Sequence, residues 1–301
     1  MVETAYPIFS ICNLVTNRLS NDLFNIDRFH GYAKNNPHLQ KVHKHSFYHL
    51  VLFTAGNGQH ILDFESYPIK TGIIYFMRPN QVHKWIFEGE VDGYVINFSS
   101  TFFDQLTIGS SILDNFPFFN LFSSNQVLEL DKPSLKKTST LFEEILKEVD
   151  ARNEHNQTLI MISAYLLQIF VIAARNTKDN AIQYSINNYN SVLLKKFMEL
   201  IEEHFREIRL PKDYASMLYI TSGHLNFICQ ERIKTSAGEL IRKRVILEAK
   251  RLLVNFEMSI SAIALDLNFF DSSYFVKFFK KYTGLTPEAF RKQYYNKPNN
   301  S

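Results

Sequence analysis

Cysteine is nearly absent from this chain: two residues in 301, Cys12 and Cys229, one in each half. That excludes a disulfide framework and a cysteine-built zinc motif. The first residues, MVETAYPIFS, have no basic segment followed by an apolar run, so no secretory signal is expected. No uncharged stretch reaches the ~20 apolar residues of a membrane helix. The longest, Leu159 to Ala174, carries Ser163, Tyr165 and Gln168 and reads as a buried or dimer-forming helix. A phosphate-binding Walker loop, a nucleophile elbow and a zinc-protease motif are all missing, as is any acid–base pair that can be placed. An enzyme is therefore not expected, and the expected location is cytoplasmic.

What is present is apolar and aromatic. Hydrophobic residues make up 46%, with 27 Phe and 15 Tyr, enough to fill a large core and to argue against disorder. The length fits two domains better than one. Net charge is only +3, but it is divided unevenly. Ser191 to Ser301 holds 18 Lys+Arg against 12 Asp+Glu, while the preceding residues hold 15 against 18. A basic half beside an acidic half points to a polyanionic partner for the former.

The chemistry-bearing run lies near the C-terminus, SISAIALDLNFFDSSYFVKFFKKYTGLTPEAFRK. Ile260, Ile263, Ala264 and Leu267 recur at helical spacing. Asn268 falls where the chain turns and a left-handed residue is needed. A second helix follows, with Phe275, Phe278 and Phe279 expected in the core and Ser272, Ser273, Tyr274, Lys277 and Lys280 at or near the outer face. This is the layout of a helix-turn-helix whose second helix enters the major groove.

These residues resemble the signature of the AraC/XylS family of transcription regulators. The match runs through Ile260, Ile263, Ala264, Phe269, Asp271, Ser273, Tyr274, Phe275, Phe279, Lys280, Lys281, Gly284, Pro287, Phe290 and Arg291. Asn268 replaces the family's turn glycine, and Lys277 replaces its usual arginine, which keeps the charge but loses the bidentate fork. The resemblance implies a C-terminal domain with two helix-turn-helix units, double-stranded DNA as partner, and RNA polymerase as a second partner if the protein activates. It also implies a cupin-like N-terminal sensor domain, a small-molecule effector and a homodimer.

An earlier helix-turn-helix fits that expectation. A leader helix carries Leu193, Leu194, Phe197, Leu200, Ile201 and Phe205. Pro211 opens a short helix, ITSG turns, and HLNFICQERI forms the reading helix. Ser222, His224, Asn226, Phe227 and Gln230 are its candidate DNA contacts, since Asn and Gln can bond adenine edges and a Phe can touch a thymine methyl. Between the two heads, Ala237 to Val254 reads as one helix of ~27 Å. Arg244 and Arg251 on it are candidate phosphate contacts, with Arg242, Lys243 and Lys250 beside them.

In the first half, residues 41–98 alternate in hydrophobicity between frequent turn signals, a pattern of short strands closing into a barrel. His43, His45 and His49 share strand parity and project to one face. With His83, Tyr48, Arg78 and Trp85 they are expected to line an effector pocket. The same four histidines are the candidates for a metal, since imidazole suits iron, zinc, copper or nickel. They could also pack as plain core; no cofactor is expected.

The resulting assignment is an α+β multidomain chain. Residues 1–132 form the barrel, 133–176 a helical packing or dimerisation segment, 177–190 a linker, and 191–297 the DNA-binding domain. The expected function is a sequence-specific regulator controlled by a small molecule. The alternatives are an effector-independent regulator governed by a protein partner, and a metallo-cupin enzyme.

Overall fold

The computed structural model describes residues 7–14, 17–20, 23–106, 109–120, 125–151, 156–177, 189–254 and 257–295. The chain divides into two compact units that part at residues 180 and 181. The linker expected at 177–190 falls almost wholly outside the described residues.

The first unit is sheet-rich. Its strands are β1 (Ile8–Phe9), β2 (Asn17–Ser20), β3 (Phe24–Arg28), β4 (Lys44–His45), β5 (Tyr48–Ala55), β6 (Gly58–Leu62), β7 (Glu65–Ile69), β8 (Ile73–Met77), β9 (His83–Phe87), β10 (Asp92–Phe98) and β11 (Val127–Glu129), with a short helix α1 (Phe29–Asn35) after β3. Six strands form one sheet in the order β11-β8-β5-β10-β3-β2, and three form another, β7-β6-β9. Pro68 sits in β7, an edge strand, where its missing N–H costs nothing.

The large sheet is apolar on both faces. Leu50 and Leu52 of β5, Ile74 and Phe76 of β8 and Tyr94, Ile96 and Phe98 of β10 share a core with two long helices, α2 (Lys132–Asp150) and α3 (Asn156–Arg175). Their strand neighbours Val51, Phe53, Tyr75 and Val95 point the other way. There they join Trp85 and Ile69 of the small sheet in a second core. Helix α3 is long and apolar enough to cross a membrane by composition. Its Ile162, Leu166, Ile169, Phe170 and Ala173 are instead spent on the core against the sheet.

The second unit is helical: α4 (Tyr189–His204), α5 (Pro211–Met217), α6 (Ser222–Ile233), α7 (Ala237–Leu253), α8 (Ile260–Asp266), α9 (Ser272–Thr283) and α10 (Pro287–Tyr295). Helices α6, α7, α8 and α9, like α2 of the first unit, are begun by side chains that accept from backbone N–H groups. Asp131, Thr221, Ser236, Ser259 and Asp271 each accept from the residue three positions on. The heads α5–α6 and α8–α9 are pinned to α7, which touches every other helix of this unit.

One glycine fixes the meeting of β5 and β10. A Cβ on Gly93 would lie 1.9 Å from the Leu52 carbonyl oxygen, whereas one on Gly89 would meet nothing within 4 Å. Gly93→Ala is therefore expected to destabilise the chain by about 1–3 kcal/mol more than Gly89→Ala. Thermal denaturation of both variants checks this; equal losses would mean that close approach is not what holds Gly93.

Candidate nucleic-acid interface and buried histidine cluster

The two heads are built alike. The turn of each is made by a residue of positive φ, Tyr219 at 56° and Asn268 at 54°. In each, the following N–H reaches back five residues: Ile220 N–H donates to the Ala215 carbonyl and Phe269 N–H to that of Ala264. The reading helices α6 and α9 both span 12 residues and both end on a left-handed residue, Lys234 and Gly284. Asn268 thus occupies the strained turn expected of it, and Tyr219 does the same job unannounced.

On α6, Ser222, Asn226, Phe227 and Gln230 are exposed and His224 is half-buried. Asn226 is partly committed: its Oδ1 accepts from Ala237 N–H at 3.0 Å, tying α6 to the start of α7. Phe227 keeps 56% of its surface exposed. On α9, Ser273, Tyr274, Lys277 and Lys280 are exposed and Ser272 is half-buried. Phe275 and Phe279 are core, while Phe278 is only half-buried, packed on Phe269 and Tyr282. The faces differ in charge. Helix α9 carries Lys277, Lys280 and Lys281 with no acidic residue, whereas Glu231 and Arg232 offset each other on α6. Phe270, fully exposed just before α9, and Tyr219, exposed before α6, were not foreseen as surface groups.

Arg244 and Arg251 are corrected. Each is only 6% exposed, on the inward side of α7. Arg244 Nε donates to Glu202 at 2.9 Å, its Nη1 to Glu248 at 3.0 Å, and its guanidinium lies 3.8 Å from the centre of the Phe205 ring. Arg206 donates to Glu248 at 2.8 Å, and Arg251 comes within 3.9 Å of it. These arginines neutralise a buried carboxylate and are not presented to phosphate. Charge alone misplaced them, because α7 buries most of its circumference. The outer cations Lys243 and Lys250 are more open, with Lys243 paired to Glu239 at 3.0 Å.

Most signature residues hold the head together. Asp271 caps α9, Gly284 supplies its left-handed end, and Pro287 opens α10. Arg291 donates to the carbonyls of Leu253, at 3.0 Å, and Met258, at 2.6 Å, closing the loop after α7. Arg209 likewise donates to the Leu267 carbonyl at the end of α8 and lies over the Phe269 ring.

In the barrel, His43, His45 and His49 come together as their parity suggested, His83 joins them, and all four are buried. His60 of β6 joins them, stacked 3.5 Å from Trp85. It pairs in register with Trp85, and alternation carried across the hairpin would have placed it inside. Tyr48 is corrected: it faces the α2–α3 side, stacked on Phe98, away from the histidines. Arg78, half-buried after β8, is not part of the cluster; its charge is felt instead by the Tyr48 hydroxyl.

Hydrogen bonds fix two of the rings. His43 Nδ1 donates to the Lys41 carbonyl at 2.7 Å, leaving Nε2 a lone pair. His49 Nδ1 donates to Asn97 Oδ1 at 2.5 Å, and Asn97 in turn donates to Asn25. Two contacts join the rings themselves: Nε2 of His43 to Nε2 of His45 at 3.1 Å, and Nε2 of His60 to Nδ1 of His83 at 3.0 Å. Burial pushes His43 and His49 down to about 4, and His45, His60 and His83 well below the usual histidine value, so all five are neutral near pH 7. Beside them, a crevice lined by Phe29, Tyr32, Asn36, Leu39, Trp85 and Phe87 offers about 10 Å³, the size of one water.

Two family models match the chain: an AraC-like ligand binding domain over residues 25–170 and a helix-turn-helix domain over residues 214–293. The chain belongs to the AraC family of DNA-binding transcription regulators. It is similar to the HTH-type transcriptional activator RhaR of Mannheimia succiniciproducens, 23% identical over 85% of this chain and 88% of that protein. It is also similar to RhaR of an Enterobacter species, 26% identical over 83% and 86%. Among solved structures, ToxT from Vibrio cholerae aligns over 89% of this chain and 97% of its own, with 19% identity and a TM-score of 0.43. As an AraC-family regulator the protein has DNA and a ligand of its N-terminal domain as its partner classes.

The buried charge cluster has a measurable consequence. Burial alone would raise the Glu248 carboxyl, but Arg244, Arg251 and Arg206 outweigh it and hold it below the usual carboxylate range. A carboxylate depressed in the folded state contributes stability that is present above its unfolded pKa, about 4.3, and is lost as pH falls through the folded value. Glu248→Gln should cost about 3–5 kcal/mol at pH 7 by stranding its arginines. It should also flatten the acid side of the stability profile below pH 4. Urea melts across pH decide; a loss below about 1 kcal/mol would contradict the cluster's role.

Proposed function

We propose that a single chain reads DNA with two unlike heads. Helix α9 supplies the charge and α6 supplies neutral base-edge contacts. The observation that carries this is the contrast between three exposed-side lysines on α9 and the charge-balanced α6, whose exposed face offers Phe227, Gln230, Asn226 and Ser222. Ser273, Tyr274 and Ser272 complete the second reading surface, with His224 at the edge of the first. Lys277 and Lys280 engage the nucleic acid as point charges, since lysine lacks the arginine fork. Phe227 meets a thymine methyl.

Control comes from the N-terminal unit. A ligand held by the barrel, near Trp85 and the histidines, sets the state of the regulator. The relatives' description as transcriptional activators supports activation, with RNA polymerase as the protein partner. Pairing of two chains is supported by the outer face of α3, where Ile160, Met161 and Val171 remain exposed. A cytoplasmic location and the absence of catalysis belong to the same reading.

The reading is tested by selecting bound duplexes from a random library with the full chain at near-physiological salt. An enriched motif supports it, and salt-sensitive binding without enrichment overturns sequence-specific recognition. On the selected site, Lys277→Ala with Lys280→Ala should reduce the slope of log affinity against log salt by about 2. Phe227→Ala should leave that slope unchanged and relax preference at one base pair by about 1–3 kcal/mol. An unchanged slope in the lysine variant would refute the division of labour.

A further inference from the structure

Five buried imidazoles crowd one region of the barrel, and their hydrogen bonds do not close. Buried polar groups nearly always find partners. Here four ring nitrogens have none: His45 Nδ1, His49 Nε2, His60 Nδ1 and His83 Nε2. One ligand nitrogen from each of His43, His45 and His83 lies within 4.8 Å of the other two. The Nε2 atoms of His43 and His45 face each other at 3.1 Å, an approach that needs either a proton or a cation between them.

The outer ring positions of His43, His49 and His83 are arranged as a metal site requires, while that of His45 has no acceptor. A ligating histidine donates its other N–H to a carbonyl or similar acceptor, which sets its tautomer. His43 does so to the Lys41 carbonyl and His49 to Asn97 Oδ1, each leaving Nε2 as a lone pair. His83 has Nδ1 on His60 and an unpartnered Nε2. The His49 ring stands 4.9 Å from that of His45 and 5.7 Å from that of His83. Tetrahedral zinc takes imidazole nitrogens at about 2.0–2.1 Å, which spaces them about 3.4 Å apart, close to the 3.1 Å between the Nε2 atoms of His43 and His45.

We propose that His43, His45 and His83 bind one divalent transition-metal ion of the zinc type, with His49 as the fourth ligand. His60 orients His83 as a positioning residue. As the ligand of the barrel, the ion deepens the regulatory reading above; the site itself stands on the histidine geometry alone.

The test uses untagged full-length protein, stripped by chelator and titrated with Co²⁺ alone. Tetrahedral cobalt announces itself by an intense visible absorption, and the expected stoichiometry is one ion per chain. His43→Gln with His83→Gln should abolish the band, while His30→Gln with His204→Gln should keep it whole. Should the cluster variant fail to fold, X-ray absorption on the cobalt-loaded native chain should show an imidazole shell of three or four nitrogens. Retention of the band in a folded cluster variant, or an oxygen-only shell, would overturn the site. The band reports the ion whether or not the chain binds DNA, so failure of the site and failure of the regulatory reading are separable.

Discussion

The DNA-binding unit depends on one buried charge. Glu248 lies on the inward side of α7, the helix against which all the others pack, and three arginines from α7 and the segment after α4 converge on it. A lone carboxylate there would be prohibitively expensive to desolvate. With its arginines in place it ties the leader helix to the spine between the heads, because Arg244 also holds Glu202 of α4. Arg206 reaches Asp266 at the end of α8 as well, so the same network touches the second head. The leader helix α4, the spine α7 and the first helix of the second head, α8, are thus joined by ionic geometry as well as by apolar packing.

The N-terminal unit follows a different logic. Its main sheet is apolar on both faces, one given to α2 and α3 and the other to the barrel interior. Alternation along each strand decides which face a residue serves. Tyr48 and His49 are chain neighbours and end up on opposite sides for that reason alone. The interior face then becomes crowded with aromatics and imidazoles.

The legible parts of this chain were those governed by local rules. Asn268 at a positive-φ turn and Pro211 as a first helical residue both follow from backbone chemistry that a short window contains. The strand β8 was readable as IIYFM between turn signals, and the parity of three histidines foretold their meeting. What escaped depended on distant partners. Nothing near Arg244 in the chain reveals that Glu202, 42 residues earlier, waits for it. His60 needed the register of β6 against β9 before it could be added to the cluster. Tyr219 escaped because a tyrosine at positive φ breaks the usual preference, and the turn geometry had to be seen.

The central claim is that two heads on one spine read separate stretches of DNA. Hydroxyl-radical footprinting on a selected duplex tests it most directly, with the native chain beside a Phe227 variant and a Lys277 variant. Two protected segments about 10 base pairs apart are predicted, the first variant weakening protection of one segment and the second that of the other. A single protected segment, or two that fade together in both variants, would contradict independent heads.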